Sequence, residues 1–313
     1  MVTTMKECNN ILTTIRPLDY KNPNMLELDK YLKLLKYTDC KNINLNFKIF
    51  KSIKNDYKKW KSLSTMLGVL LTKYNLKASI THATYFNSMI FENYSKEQLN
   101  ELRNEIMIAL SESKKLGANL MVMHAGISVN DEYSEQSTID KNTDFFLPIT
   151  QCAKKLGMEV AIENDVVANP TTVGQVLEPS VEVLNNIVNE INSQIDSKTI
   201  GICYDVGHAN IAGRDVYGDI NKISENLKTL HLHNNLGYKQ SDNVWTDDFH
   251  SPIVDGELSI EKIVEILKQI NFKNDIVIES VYKGTPENII KSIQEDQMFI
   301  KKCFENTPTQ NQE

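Results

Sequence analysis

A chain of 313 residues with 41% hydrophobic and 24% charged content is long enough for a sizeable core and falls outside the disordered and fibrous classes. A formal net charge of -7 and only three arginines, Arg16, Arg103 and Arg214, argue against nucleic acid as a partner. The N-terminal MVTTMKECNN has no apolar h-region and no apolar run approaches the roughly 18 residues of a membrane span, so a soluble, cytoplasmic protein is expected.

Along the chain, short β-favouring apolar runs alternate with longer stretches whose apolar residues recur at helical spacing. Strands are predicted at residues 10–16, 42–47, 77–82, 120–124, 159–163, 200–205, 229–233 and 275–279. Helical patterns lie between them, for example at 25–37, 57–74, 96–116, 181–195, 259–270 and 287–304, and eight such pairs are counted. Gly117 and Gly157 stand where glycine closes a helix, and Ser259 heads an acidic first turn. Trp60 falls within a helical pattern and is assigned to packing. Five cysteines, Cys8, Cys40, Cys152, Cys203 and Cys303, are scattered without a CxxC pair, which argues against a disulfide framework or a thiolate zinc site. No linker divides the chain, so residues 1–305 are expected to form one domain, with 306–313 a flexible polar tail.

Eight β/α pairs in one undivided chain point to a closed (β/α)8 TIM barrel. The competing open sheet usually carries a GxGxxG or GxxxxGK[ST] phosphate turn, and neither occurs. Parallel strands deliver their C-terminal ends to one mouth. His82, His124, Glu163, Asp205, His231 and Glu279 each stand at or beside the end of a predicted strand, on six different strands, and His208 follows Asp205 on the next loop. Three carboxylates in one cleft repel one another unless a cation or a shared proton relieves them, and oxygen ligands with imidazole suit Mn, Zn, Co or Mg. A divalent metal is therefore expected, with His233 packing beside it or orienting a ligand.

The segments LGANLMVMHAG (116–126), VAIEN (160–164), GICYDVGHAN (201–210), LHLHNN (230–235), DFHSPIVDGELS (248–259) and IVIES (276–280) resemble the xylose-isomerase-like barrel superfamily. That superfamily includes sugar isomerases and epimerases, inosose dehydratases and the endonuclease IV type of apurinic-site nucleases. The resemblance implies that Glu163, Asp205, His231 and Glu279 ligate one metal, that Glu163 and Glu279 also serve as the acid/base pair, and that His208 contacts substrate. The implied chemistry is proton transfer through an enediolate of a sugar, sugar phosphate or inositol, an activity of carbohydrate metabolism. In this reading His82, His124 and His250 contact substrate as well, Trp245 closes over it from the polar loop 237–248, and Lys283 meets a substrate phosphate or carboxylate.

The ketose 3-epimerases of the superfamily carry an acid three residues and an arginine six residues after the metal-binding histidine, where this chain has Asn234 and Gly237. The alternative is the nuclease. His82, His124, Glu163, Asp205, His208, His231, Asp248, His250 and Glu279 match the nine ligands of its trinuclear zinc centre, and Tyr85 and Phe86 match residues that probe the DNA stack. The acidic balance and the loop HSPIVDGELS, in place of a Gly-rich turn, favour the isomerase or epimerase. The sequence leaves a homo-oligomer open.

Overall fold

The computed structural model describes residues 11–15, 25–36, 38, 40–47, 57–84, 86, 88–130, 132–169, 176–237 and 250–306. Eight strands close into a parallel barrel: β1 (Ile11–Ile15), β2 (Asn42–Asn46), β3 (Lys77–His82), β4 (Leu120–His124), β5 (Glu159–Glu163), β6 (Ile200–Asp205), β7 (Leu227–Leu232) and β8 (Ile276–Ile278). Each pairs with its successor, and β8 returns to β1 through Ile11↔Ile276. The expected single (β/α)8 barrel is the architecture found.

Its outer helices are α1 (Met25–Leu35), α2 (Tyr57–Tyr74), α3 (Lys96–Lys115), α4 (Glu135–Leu156), α5 (Val181–Ile195), α6 (Val216–Lys222), α7 (Ile260–Gln269) and α8 (Pro286–Asn306). A single helical turn, Val206–Ile211, follows β6. Helix α8 continues through Asn306, one residue into the expected tail, and residues 307–313 lie outside the described part. No helix among the described residues is long and apolar enough to cross a membrane.

Side chains alternate across the strands, and that alternation divides the core in two. Leu12, Ile80, Leu120, Val122, Ala161, Cys203 and Val277 fill the barrel interior. Their neighbours in sequence, among them Met121, Met123, Val160, Ile162, Ile202, Tyr204, Ile276 and Ile278, point outward and pack under the helices. Trp60 of α2 belongs to this outer layer, 1% exposed and stacked on Phe47 with ring centroids 5.8 Å apart.

The helices start and stop where local chemistry directs. Ser95 begins α3 with a full capping box to Gln98, and Ser259 begins α7 by accepting from the Lys262 N–H. Gly157 closes α4 in the left-handed region at φ +62°, a conformation that costs a residue with a β-carbon more. Strand β7 ends at Leu232, one residue before the predicted end, and Asn234 beyond it pairs with Ser251. The described cysteines, Cys40, Cys152, Cys203 and Cys303, are free thiols.

Candidate metal centre

Two residues beyond the last interior apolar residue of a strand, the same face reaches the C-terminal rim. Ile80 is thus followed by His82, Val122 by His124, Ala161 by Glu163, Cys203 by Asp205 and Val277 by Glu279. This period of two converts an apolar layer into a polar one without any change of strand geometry. All six histidines of the chain, His82, His124, His208, His231, His233 and His250, join these carboxylates. His82, His124, Glu163, Asp205, His208, His231 and Glu279 are buried, at 8% exposure or less.

Glu163 stands at the centre. Its Oε1 accepts from His231 Nδ1 at 3.0 Å, and its Oε2 lies 2.9 Å from His82 Nε2 and 3.6 Å from His124 Nε2. Asp205 Oδ2 and Glu279 Oε1 lie 3.9 and 3.8 Å from the same His231 Nδ1. Three carboxylates, from β5, β6 and the residue after β8, therefore lie within 3.9 Å of one imidazole nitrogen. Ligands bound tetrahedrally at about 2.1 Å lie about 3.4 Å from one another, close to the spacings found. Asp205 Oδ2, on a wholly buried carboxylate, has no hydrogen-bond partner among the described residues. A buried carboxylate oxygen left in that state is costly, and a cation relieves it. Three carboxylates with one imidazole form a donor set for a divalent ion such as Mn, Zn, Co or Mg.

The supporting hydrogen bonds follow one rule. His82 donates from Nδ1 to Ala83 O at 3.0 Å, His208 to Asn164 O at 2.9 Å and His250 to Glu279 O at 3.1 Å. His124 Nδ1 bonds Asp165 Oδ2 at 3.0 Å, and Asp165 in turn accepts from Ser88 Oγ at 2.5 Å. In all four rings Nδ1 is committed, which is how ligand histidines are commonly held, and the second nitrogen of His82 also faces an acceptor, Glu163 Oε2. Thr14 and Asn44, from the first two strands, both donate to Glu279 Oε1, at 2.9 and 3.3 Å. The Asn164 side chain pairs with both backbone groups of Asp205 and with the buried Glu178, whose other oxygen takes Arg214 at 3.0 Å.

Electrostatics agree with this arrangement. Burial pushes the Glu163 carboxyl up, but the charge and hydrogen bond of His231, with His82 and His124, outweigh it and hold the group well below the usual carboxylate range. For His231 burial opposes the charged form, and Cys203, Glu163 and Glu279 more than reverse that, raising it well above the ordinary imidazole value. Asp205 is likewise lowered, burial being overcome by His208 and His233.

The sequence-predicted Glu163, Asp205, His231, Glu279, His82, His124, His208 and His250 are all at this mouth. Trp245, Asp248 and Tyr85 lie outside the described residues. Lys283 is exposed on the loop after β8. Phe86 is only 4% exposed and packs between His124 and Phe145, a position in the core and not on a surface that meets a nucleic-acid stack. Asn234, at the position where 3-epimerases have an acid, is 1% exposed and spends both side-chain atoms on the backbone of residues 235, 253 and 258. Sequence reasoning missed Thr14, Asn44, Asp165 and Ser88. Thr14 follows the interior Leu12 by two, so the alternation signal was there for it. Asp165 lies past the strand end, where no periodicity applies.

The sequence matches the family described as xylose isomerase-like TIM barrel over residues 47–303. An uncharacterized protein of Methanocaldococcus jannaschii is 28% identical over 199 residues, 61% of this chain and 62% of that protein, so the match spans less than two thirds of the relative. Among solved structures, a D-tagatose 3-epimerase-like protein superposes with TM-score 0.66 at 21% identity, covering 95% of this chain and 97% of the other. An IolI protein with a binding zinc atom gives TM-score 0.69 at 18% identity, covering 95% and 99%. At these identities the two structures share the fold.

Proposed function

The chain belongs to the xylose isomerase-like TIM barrel family, and from that premise we propose that it is a divalent-metal-dependent isomerase or epimerase of a sugar or related polyol. The observation that carries the reading is the buried quartet Glu163, Asp205, His231 and Glu279, in which two glutamates from β5 and the end of β8 flank one imidazole. The zinc in the IolI structure and the epimerase-like neighbour are in keeping with it.

Glu163, Asp205, His231 and Glu279 would hold the metal, which when bound polarises a carbonyl and its neighbouring hydroxyl and so acidifies the C–H between them. Glu279 takes that proton and Glu163 returns one at the other side. Thr14 and Asn44 keep Glu279 in one rotamer, while His82 and His231 fix Glu163 from opposite oxygens. His208, His124 and His250, each with Nδ1 committed, offer Nε2 to substrate hydroxyls, while His82 spends its Nε2 on Glu163. Buried walls keep bulk water from competing for the proton. The committed Asn234 argues for a reaction other than that of the 3-epimerases which use an acid there.

One feature favours the nuclease reading. Glu163 offers one oxygen to His231 and the other to His82 and His124, which suits a carboxylate shared by two cations. Elemental mass spectrometry on protein purified without nickel resin, followed by incubation with ketoses, aldoses and inositols in D2O, separates the two. About one metal per chain with deuterium entering a substrate carbon is expected. Close to three zinc ions per chain with cleavage of abasic-site DNA would replace the proposal by the nuclease.

A further inference from the structure

Asp205 presents two oxygens in different circumstances. Oδ1 accepts from the His208 N–H at 2.9 Å, capping the turn Val206–Ile211, and lies 2.9 Å from His233 Nε2. Oδ2 faces His231 and His208 and has no hydrogen-bond partner among the described residues. The carboxylate is therefore tied at one oxygen and offered at the other.

His233 is held where it does this by contacts on both faces of its ring. Its ring stacks on His250 with centroids 3.8 Å apart and planes at 15°, and meets His208 edge-on at 5.5 Å. On the remaining side lies Gly207: a β-carbon built there would sit inside the His233 ring. Gly207 has no need of a left-handed φ, so close approach is the reason for glycine at this position.

We propose that His233 is a positioning residue that, through the 2.9 Å ion-pair contact of its Nε2 with Asp205 Oδ1, aims Oδ2 at the metal and fixes Asp205 as a one-oxygen ligand, with Gly207 providing the space for its ring. This rests on the metal centre proposed above. It accounts for an otherwise unexplained pair, a glycine opposite an imidazole that none of the four ligands supplies. It also separates two histidines that stand two residues apart on β7 and its extension: His231 faces the quartet, and His233 holds one member of it from behind.

The test is the affinity of the metal-stripped full-length chain for zinc and manganese ions, measured in competition with a chromophoric chelator, for wild type and four variants, with the metal-free Tm of each recorded. His233→Ala and His233→Phe are expected to lose about 10- to 100-fold in affinity, the usual effect of removing a group that orients a ligand. Phenylalanine keeps the stack on His250 and loses the nitrogen. His233→Gln restores an N–H near Nε2 and is expected to recover most of the affinity. Gly207→Ala is expected to behave like His233→Ala, and the double variant Gly207→Ala/His233→Ala to be no weaker than the latter alone. A His233→Phe variant that binds as tightly as wild type would overturn the inference while leaving the metal centre intact. Wild-type protein that takes up neither ion would remove the metal centre itself, and this inference with it.

Discussion

In the proposed assignment two roles converge on the Glu279 carboxylate, and a neutral amide fulfils neither. Glu279→Gln is expected to abolish turnover and to weaken metal binding, because the amide ligates poorly and accepts no proton; near-normal turnover in that variant would dismiss the assignment. Asp205→Asn should loosen the metal chiefly, which a chelator titration beside the activity assay will resolve. The pair Glu163 and His231 also sets a pH dependence for the metal-free protein. Glu163 is lowered on folding, so its contribution is complete above the unfolded value of about 4.3 and is lost as pH falls through the folded value. His231 is raised, so its contribution is complete below about 6.5 and is lost as pH climbs through its folded value. Thermal melts of the stripped protein should show a plateau of greatest stability between these limits, with an alkaline decline that His231→Asn removes. Metal affinity should rise with pH across the same alkaline limb, since the ion displaces the His231 proton. A pH-independent affinity would contradict the pairing.

Helix α4 contains Pro148, which supplies no N–H to the carbonyl of Asp144 one turn earlier. Arg103 of α3 fills that gap. Its Nη2 reaches Asp144 O at 3.5 Å, its Nε reaches Phe145 O at 3.2 Å, and its guanidinium lies over the Phe145 ring at 5.3 Å. The two helices are thereby fastened at a point where one of them is weak. Arg103→Ala is expected to destabilise the fold by about 1–3 kcal/mol, the usual effect of leaving acceptors unmet together with a lost cation–π contact. In a Pro148→Ala background, where the helix completes its own ladder, the same change should cost less, and additive effects in urea denaturation of the four variants would refute the coupling. The sequence carried the proline openly. Its remedy came from a helix 45 residues earlier, out of reach of any local pattern.

Across the whole molecule, the four proposed ligands come from positions 163, 205, 231 and 279, and only closure of the barrel brings them together. A ligand that binds the folded chain and not the unfolded one stabilises it by mass action, about 2.7 kcal/mol at a hundredfold excess over Kd. Tm should therefore climb with metal concentration and fall on adding a chelator, and Glu279→Gln should flatten that climb. The interior layer beneath the quartet has a second consequence. Val277→Ala leaves a gap directly under Glu279 and is expected to lower stability by about 1–3 kcal/mol and to weaken metal binding as well. Loss of stability with unaltered affinity, measured by melting and chelator competition, would show the quartet to be independent of its floor.

Sequence alone determined the eight β/α units, the strand ends to within a residue and the chemical types at the rim. Alternation with period two and helical spacing are local properties, written within a few residues of the side chains they place. It was enough to put Glu163, Asp205, His231 and Glu279 on one mouth, because parallel strands in a closed barrel share one direction. What it left open was which atoms face which. The tie of Asp165 to His124, of Thr14 and Asn44 to Glu279, and of His233 to Asp205 spans from 28 to 265 residues along the chain. Such contacts are set by the register of neighbouring strands and by pairings beyond the strand ends, such as that of Asn234 with Ser251. Only the tertiary structure decided them, because hydrogen-bond partners are chosen by distance in space and not by spacing in sequence.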